Sequence, residues 1–262
     1  MRLTWKQKDF DEDIDVILFH QKDGTPKYWH YHLFHAYPDL DYNYCWSAGI
    51  SEEQRFDYIV KQMKIQAKKR QDIVNKSVKS FQQFWNDNIA DKLNKVFSSA
   101  FDNDCSNILN EMKAEVGLNP NCPRYIDKCS FDVYHYYDTQ WAMTTALHEI
   151  THFVWFYFWQ QHFKDNLDEY EFPNLKWLLS EIVVETIIRN SEIGNLIEFP
   201  QWIAYPYFYD MKINGKLLFD TMKKLYLERK NIYDFMEKAY NFIQQNEPEL
   251  RKKIDEAESK TY

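Results

Sequence analysis

The chain has 262 residues, 45% of them hydrophobic, and a formal net charge of -8. That length and apolar content can build a real core without disulfide staples, in one large domain or two small ones. The acidic balance excludes a sequence-independent hold on nucleic-acid backbones, which needs clustered Lys and Arg, and five glycines with neither GxGxxG nor GxxxxGK[ST] exclude phosphate-cradling loops.

The amino terminus, MRLTWKQKDFDEDIDV, turns acidic before any apolar stretch, so it lacks the order of regions that marks a secretory signal. A cytoplasmic location is expected. Cys45, Cys105, Cys122 and Cys129 form no CxxC pair and read as reduced core thiols, with a structural metal at Cys122 and Cys129 as the alternative. Residues 14 to 37 read as two strands around an Asp23-Gly24 turn, because both flanks are rich in β-formers and aromatics. On such a strand His30 and His32 share a face, which makes a second metal site conceivable.

SEEQ at 51 to 54 is a capping box. Behind it Phe56, Ile59, Val60, Met63, Ala67, Val74, Val78, Phe81 and Trp85 recur at spacings of three, four or seven, which predicts a long helix to about residue 88. The basic run KKRQ, 68 to 71, belongs to its solvated face. Shorter helical patterns cover 89 to 99 and 104 to 115, VGLNPNCPR is a loop, and SFDVYHYY at 130 to 137 is a strand. Asp138 and Thr139 then cap a helix from about 140 to 164, and KDNLDEYEF breaks it. Pro173 is placed to begin the next helix, PNLKWLLSEIVVETIIRN, and an irregular aromatic segment from 191 to 215 precedes a helical tail. The apolar stretch from 141 to 159 has almost membrane-spanning length, but ionisable residues stand at its middle and no span is expected. No linker divides the chain, so a single domain over 1–262 is expected, mainly helical α+β with a small sheet near the front.

Inside the helix from 140 to 164 lies ALHEITHFVWF, 146 to 156. Positions i and i+4 of a helix lie on one face, so His148 and His152 can offer two imidazole nitrogens to one ion. Glu149 sits about 100° round the helix, where its carboxylate can reach a water on that ion without becoming a ligand. The pattern alone is suggestive, and its apolar neighbours Ala146, Leu147, Ile150 and Phe153 add weight, since buried histidines need a strong partner. A catalytic zinc wants a third protein ligand. The metzincin spacing is excluded, because position 158 is Phe. Glu181 stands 29 residues beyond His152 in LLSEIVVETI, with Glu185 one turn on. Two readings of these acids are open: a third ligand on a buried helix, or a Glu181, Glu185, Arg189 ladder on a wet face. Asp165, Asp168, Glu169 and His162 are the fallback ligands.

HEITH followed by an E-x-x-x-acid helix resembles the gluzincins, the zinc peptidases related to thermolysin, over residues 148 to 185. The resemblance implies a zincin-like fold with a small mixed sheet packed on the active-site helix. It also implies that His148, His152 and Glu181 bind Zn2+, that Glu149 acts as general base, and that Glu185 orients His148 from behind. The family usually has Asp where this chain has Glu185, and often Asn where it has Ser180. Such enzymes steady the oxyanion with a downstream His or Tyr, and no histidine follows His162. The resemblance thus points to a tyrosine of YPYFY, Tyr205 or Tyr207, and makes the strand before the active-site helix a border of the cleft, with His135 or Tyr137 touching substrate. The expected function is a zinc-dependent peptidase acting on a peptide or protein substrate, with no nucleic-acid or membrane partner. Cleavage of a non-peptide amide and a non-catalytic binding module are the alternatives.

Overall fold

Strand β1 (Arg2–Gln7) opens the chain and is followed by helices α1 (Phe10–Phe19), α2 (Lys27–Ala36), α3 (Tyr42–Cys45), α4 (Glu52–Asn88) and α5 (Ala90–Ala100). Strands β2 (Glu111–Gly117), β3 (Arg124–Tyr125) and β4 (Ser130–Tyr134) come next, then helices α6 (Thr139–Phe163) and α7 (Leu175–Arg189). A short ribbon, β5 (Lys212–Ile213) and β6 (Lys216–Leu217), leads into helices α8 (Leu218–Leu227), α9 (Ile232–Gln245) and α10 (Glu247–Thr261). This computed structural model describes residues 2–165 and 167–261, the side chains of residues 2, 111, 167, 168, 260 and 261 excepted. It is an α+β fold, mainly helical, with a small mixed sheet. Chain ends aside, its contacts gather into two compact units: Leu3–Phe84 with Met112–Ala142, and Trp85–Glu111 with Met143–Thr261. Among the described residues no helix is long and apolar enough to cross a membrane.

The first unit holds a four-stranded sheet in the order β1-β2-β4-β3. β2 and β4 run parallel, with Ala114 opposite Phe131 and Val116 opposite Val133, and β3 pairs antiparallel to β4. All five β4 residues are buried, which suits a strand covered on both faces. That burial takes in a charge, so Asp132 must be paired. Lys8 Nζ stands 2.6 Å from its carboxylate, and the Tyr125 hydroxyl donates to it at 3.0 Å. Asp13, on α1, accepts the Leu118 N–H at 2.5 Å. Burial pushes the Asp13 carboxyl up to about 6 and that of Asp132 up to about 7.

Two elements differ from the sequence expectation. Residues 14 to 37 form two helices, α1 and α2, not a hairpin. The Asp9 side chain accepts the N–H groups of Asp11 and Glu12, and an acidic first turn complements the helix dipole. Aromatic content, which suggested strands, here covers apolar positions at helical spacing: Ile14 and Ile17 on α1, His30, Leu33 and Phe34 on α2. His30 and His32 therefore lie about 200° apart round a helix and share no face. His30 bonds Thr25 and stacks on Trp46, while His32 bonds Asn121. Residues 104 to 115 are turns followed by β2, not a helix. Leu109, Met112 and Val116 mimic helical spacing, but Met112, Ala114 and Val116 are the alternate inward positions of a strand. Cys122 and Cys129, both free, lie at opposite ends of the β3–β4 pairing.

The expected capping box is formed: Gln54 N–H donates to Ser51 Oγ and Ser51 N–H to Gln54 Oε1, and α4 runs to Asn88. The second unit is built around α6 and α7. Trp155 and Trp159 on α6 are fully buried and meet Phe235 and Tyr240 of α9, while Phe158 meets Phe101 just beyond α5. On α7 every residue from Leu178 to Ile188 is buried, against α8 and α9 among other neighbours. Each large apolar side chain so buried contributes about 1.5–3 kcal/mol, which is what holds two helices of such uniform hydrophobicity in place.

Candidate metal centre

α6 begins where Asp138 accepts the Trp141 N–H at 2.8 Å, and α7 begins at Leu175 behind Asn174, whose side chain makes no cap hydrogen bond, so Pro173 precedes the helix and does not open it as expected. These starts fix which faces meet. His148 and His152 leave α6 one turn apart, and their Nε2 atoms stand 3.0 Å from each other. Glu181 comes from α7 with one carboxylate oxygen 3.6 Å from His152 Nε2 and the other 3.7 Å from His148 Nε2. One ligand atom from each of the three lies within 4.8 Å of the others, and among the described residues no other group of three or more His, Cys, Asp or Glu converges in this way.

The donor set and its spacing fit a metal. At a metal–nitrogen distance of 2.0–2.1 Å, the edge of a tetrahedron is roughly 3.3 Å; the two imidazole nitrogens stand 3.0 Å apart, and each has a different Glu181 oxygen at 3.6 or 3.7 Å, close enough for the three side chains to share one ion. His152 is fully buried, Glu181 is 6% exposed and His148 is half-buried, so the cluster has a dry back and one more open side. A carboxylate so buried wants a cation beside it. Two imidazoles and a carboxylate can hold zinc, and the same set also suits iron or other divalent metals. Glu149 is 7% exposed, and its Oε1 stands 4.0 Å from His148 Nε2, at the rim of the cluster.

The fallback residues are engaged elsewhere. Asp165 accepts the Trp159 indole N–H and pairs with Lys176, Glu169 also pairs with Lys176, and His162 bonds Glu237 at 2.7 Å. The side chain of Asp168 lies outside the described residues.

Trp177, Glu181, Glu185 and Arg189 follow one another at intervals of four, forming a single slowly turning stripe along α7. The stripe is not a wet face, since Glu181 and Glu185 are each only 6% exposed. Part of the ladder exists all the same: Arg189 Nε donates to Glu185 at 2.9 Å. The other Glu185 oxygen accepts the Tyr209 hydroxyl at 2.7 Å. Tyr209 in turn accepts the N–H groups of Ile203 and Ala204 at 2.9 and 3.3 Å, and Arg189 donates to the carbonyls of Pro200 and Gln201. At the other end of the stripe the Tyr205 ring meets Trp177 at 6.2 Å. Residues 200 to 205 therefore form a strap tied to α7 at Arg189, at Glu185 through Tyr209, and at Trp177.

Tyr205 and Tyr207 stack on each other at 5.4 Å, and Tyr205 bears on Trp177. Tyr209, the last tyrosine of the same YPYFY stretch, is the one bonded to Glu185, and only its place in that stretch marked it in the sequence. His135, in the first unit, is fully buried and its Nδ1 lies 2.9 Å from the Gly117 carbonyl; Tyr137 lies in that unit too. Compared with protein-family models, with curated proteins and with solved structures, the chain matches none.

Proposed function

We propose that the chain is a zinc-dependent hydrolase of peptide bonds, with His148, His152 and Glu181 as the metal ligands and Glu149 as the general base. The observation that carries this reading is the convergence of the two HEITH imidazoles with a buried carboxylate from a second helix, one ligand atom of each within 4.8 Å of the others. Zinc held there would polarise a carbonyl and lower the pKa of its water to about 7. Glu149, whose carboxylate lies beside His148, would accept a proton from that water and pass it to the departing amine. Glu185 holds Arg189 and Tyr209, and so fixes the helix face on which Glu181 stands. Tyr205 and Tyr207, expected at the oxyanion, are better read as a stacked aromatic wall. Four free cysteines agree with a reducing, cytoplasmic setting.

Glu149 separates a hydrolase from a domain that merely stores a metal. A mixed peptide library incubated with zinc-loaded wild type should be cleaved, and Glu149→Gln should retain the metal while losing at least about 100-fold in rate. Cleavage that survives the substitution, or a library left intact by wild type, would overturn the reading.

A further inference from the structure

We propose that the exposed face of α4 docks the protein on an anionic bilayer surface, through a stripe of lysines with Ile65 at its crest. Between residues 61 and 79 the helix carries six lysines and one arginine against a single acid, Asp72, in a chain whose net charge is -8. At about 100° per residue, Lys61, Lys68, Lys76 and Lys79 all fall within about 60° of Ile65, and Lys64 flanks them. All five of these lysines are exposed, Ile65 is 42% exposed, and the stripe is about 27 Å long. Docking of this kind needs no spanning helix and does not depend on the metal site.

The stripe differs from an ordinary wet face. On α9 and α10, cations pair with an acid one turn away: Lys238 with Asp234, Arg251 with Glu247, Lys252 with Glu256 and Lys253 with Glu249. Among the described residues no carboxylate pairs with Lys61, Lys64, Lys68, Lys76 or Lys79. Lys69 stands 3.8 Å from Asp39, and Arg70 turns off the stripe to lie over the Tyr37 and Tyr136 rings. What remains is lysine, a hydrated point charge suited to a diffuse negative surface, without the arginine fork that grips an individual carboxylate. Ile65 favours lipid over a polyanion. Beside phosphates or acidic side chains it would meet nothing apolar, whereas at a bilayer it enters the boundary between headgroups and chains, with the lysine stems lying along that boundary and their charges among the headgroups. The net charge of the chain does not forbid this, because charges more than about 8 Å away are screened at physiological salt. Each lysine near an anionic leaflet tightens binding about fivefold.

Co-sedimentation of the full chain with vesicles tests the stripe. Vesicles of phosphatidylcholine with about 30% phosphatidylserine should bind at least tenfold more tightly than phosphatidylcholine alone in about 0.1 M salt, and lose that advantage in about 1 M salt. Lys61→Gln, Lys68→Gln, Lys76→Gln and Lys79→Gln combined should weaken anionic binding at least about 50-fold, since glutamine keeps the helix and removes the charge. Ile65→Ser, which spares every charge, should weaken it about threefold and decides the matter if the fourfold variant does not fold. Lys252→Gln with Lys253→Gln, on α10, should leave binding unchanged. Equal binding to the two kinds of vesicle, or anionic binding that survives either α4 change or falls as much with the α10 change, would overturn the proposal. So would tighter binding to poly-glutamate or to duplex DNA than to the anionic vesicles.

Discussion

Glu185 accepts a hydrogen bond from the Tyr209 hydroxyl at 2.7 Å, and through that one oxygen atom α7 also holds the N–H groups of Ile203 and Ala204. Removing the hydroxyl leaves a buried carboxylate with one partner fewer and two backbone donors without their acceptor. Tyr209→Phe should therefore cost about 1–3 kcal/mol, read as a lowered denaturant midpoint with an unchanged slope. Amide exchange at Ile203 and Ala204 should quicken at the same time. A variant as stable as wild type, with those amides still protected, would show that the strap is held by packing alone.

The third ligand is the step that most needs its own variant. Glu181→Gln keeps the shape of the side chain but removes the charge that the two imidazoles and a cation would share. Zinc affinity should fall by at least about 100-fold, measured by competition with a chelating dye, while the apo chain unfolds within about 1 kcal/mol of wild type. Unchanged zinc affinity would assign the third position to another residue.

Gly117 closes β2 against Asp13: an added Cβ would lie 2.6 Å from Asp13 Oδ2 and 2.9 Å from its Cγ. Asp13 cannot swing aside without giving up the Leu118 N–H. Gly117→Ala should cost about 1–3 kcal/mol by overpacking, checked by chemical denaturation. Full stability would mean that α1 shifts freely, against the close fit described.

Acid should weaken the first unit. Burial lowers His20, His30, His32 and His135 to about 4 each, so the folded form stays neutral where an unfolded chain, titrating near 6.5, takes up protons. Stability from these four is full above about 6.5 and is lost as pH falls toward 4. Asp13 and Asp132, raised to about 6 and about 7, act in the opposite sense: below those values the folded form binds the proton the unfolded chain lacks, so their contribution improves as pH falls to about 4. Lys8 and the Tyr125 hydroxyl, which favour the charged carboxylates, moderate that gain, while Glu115, which raises Asp13, adds to it. Four histidines outweigh two carboxyls, so the unfolding midpoint should drop between pH 7 and pH 5. Asp13→Asn, whose amide oxygen can still accept from Leu118, should make the drop steeper. A midpoint that rises on acidification would contradict this balance.

The metal-bearing half of the sequence was legible because its punctuation is local. Asp138 caps α6, and both helices are apolar on nearly every side, so HEITH and SEIVVE could be set on helices, while the burial of Glu181 and Glu185 stayed open against a wet ladder, which only their exposure in the structure decides. The front was misread where composition and period conflict. In α1 and α2 the aromatics argue for strands while the i, i+3, i+4 positions argue for helices; Asp9 caps α1, and α2 starts behind Pro26 without a side-chain cap. In β2 the reverse holds, since Leu109, Met112 and Val116 are spaced like a helix but pairing with β4 sets the strand. The bond from Tyr209 to Glu185 spans 24 residues through an irregular segment, and no period records a contact of that kind.

A zinc hydrolase of this design requires that the two imidazoles and Glu181 hold a metal. Full-length protein, stripped with a chelator, incubated with one equivalent of zinc and desalted, should retain about one zinc per chain by mass spectrometry, and His152→Ala treated in the same way should retain almost none. A wild-type chain that emerges without zinc, or a His152→Ala chain that holds as much as wild type, would contradict it.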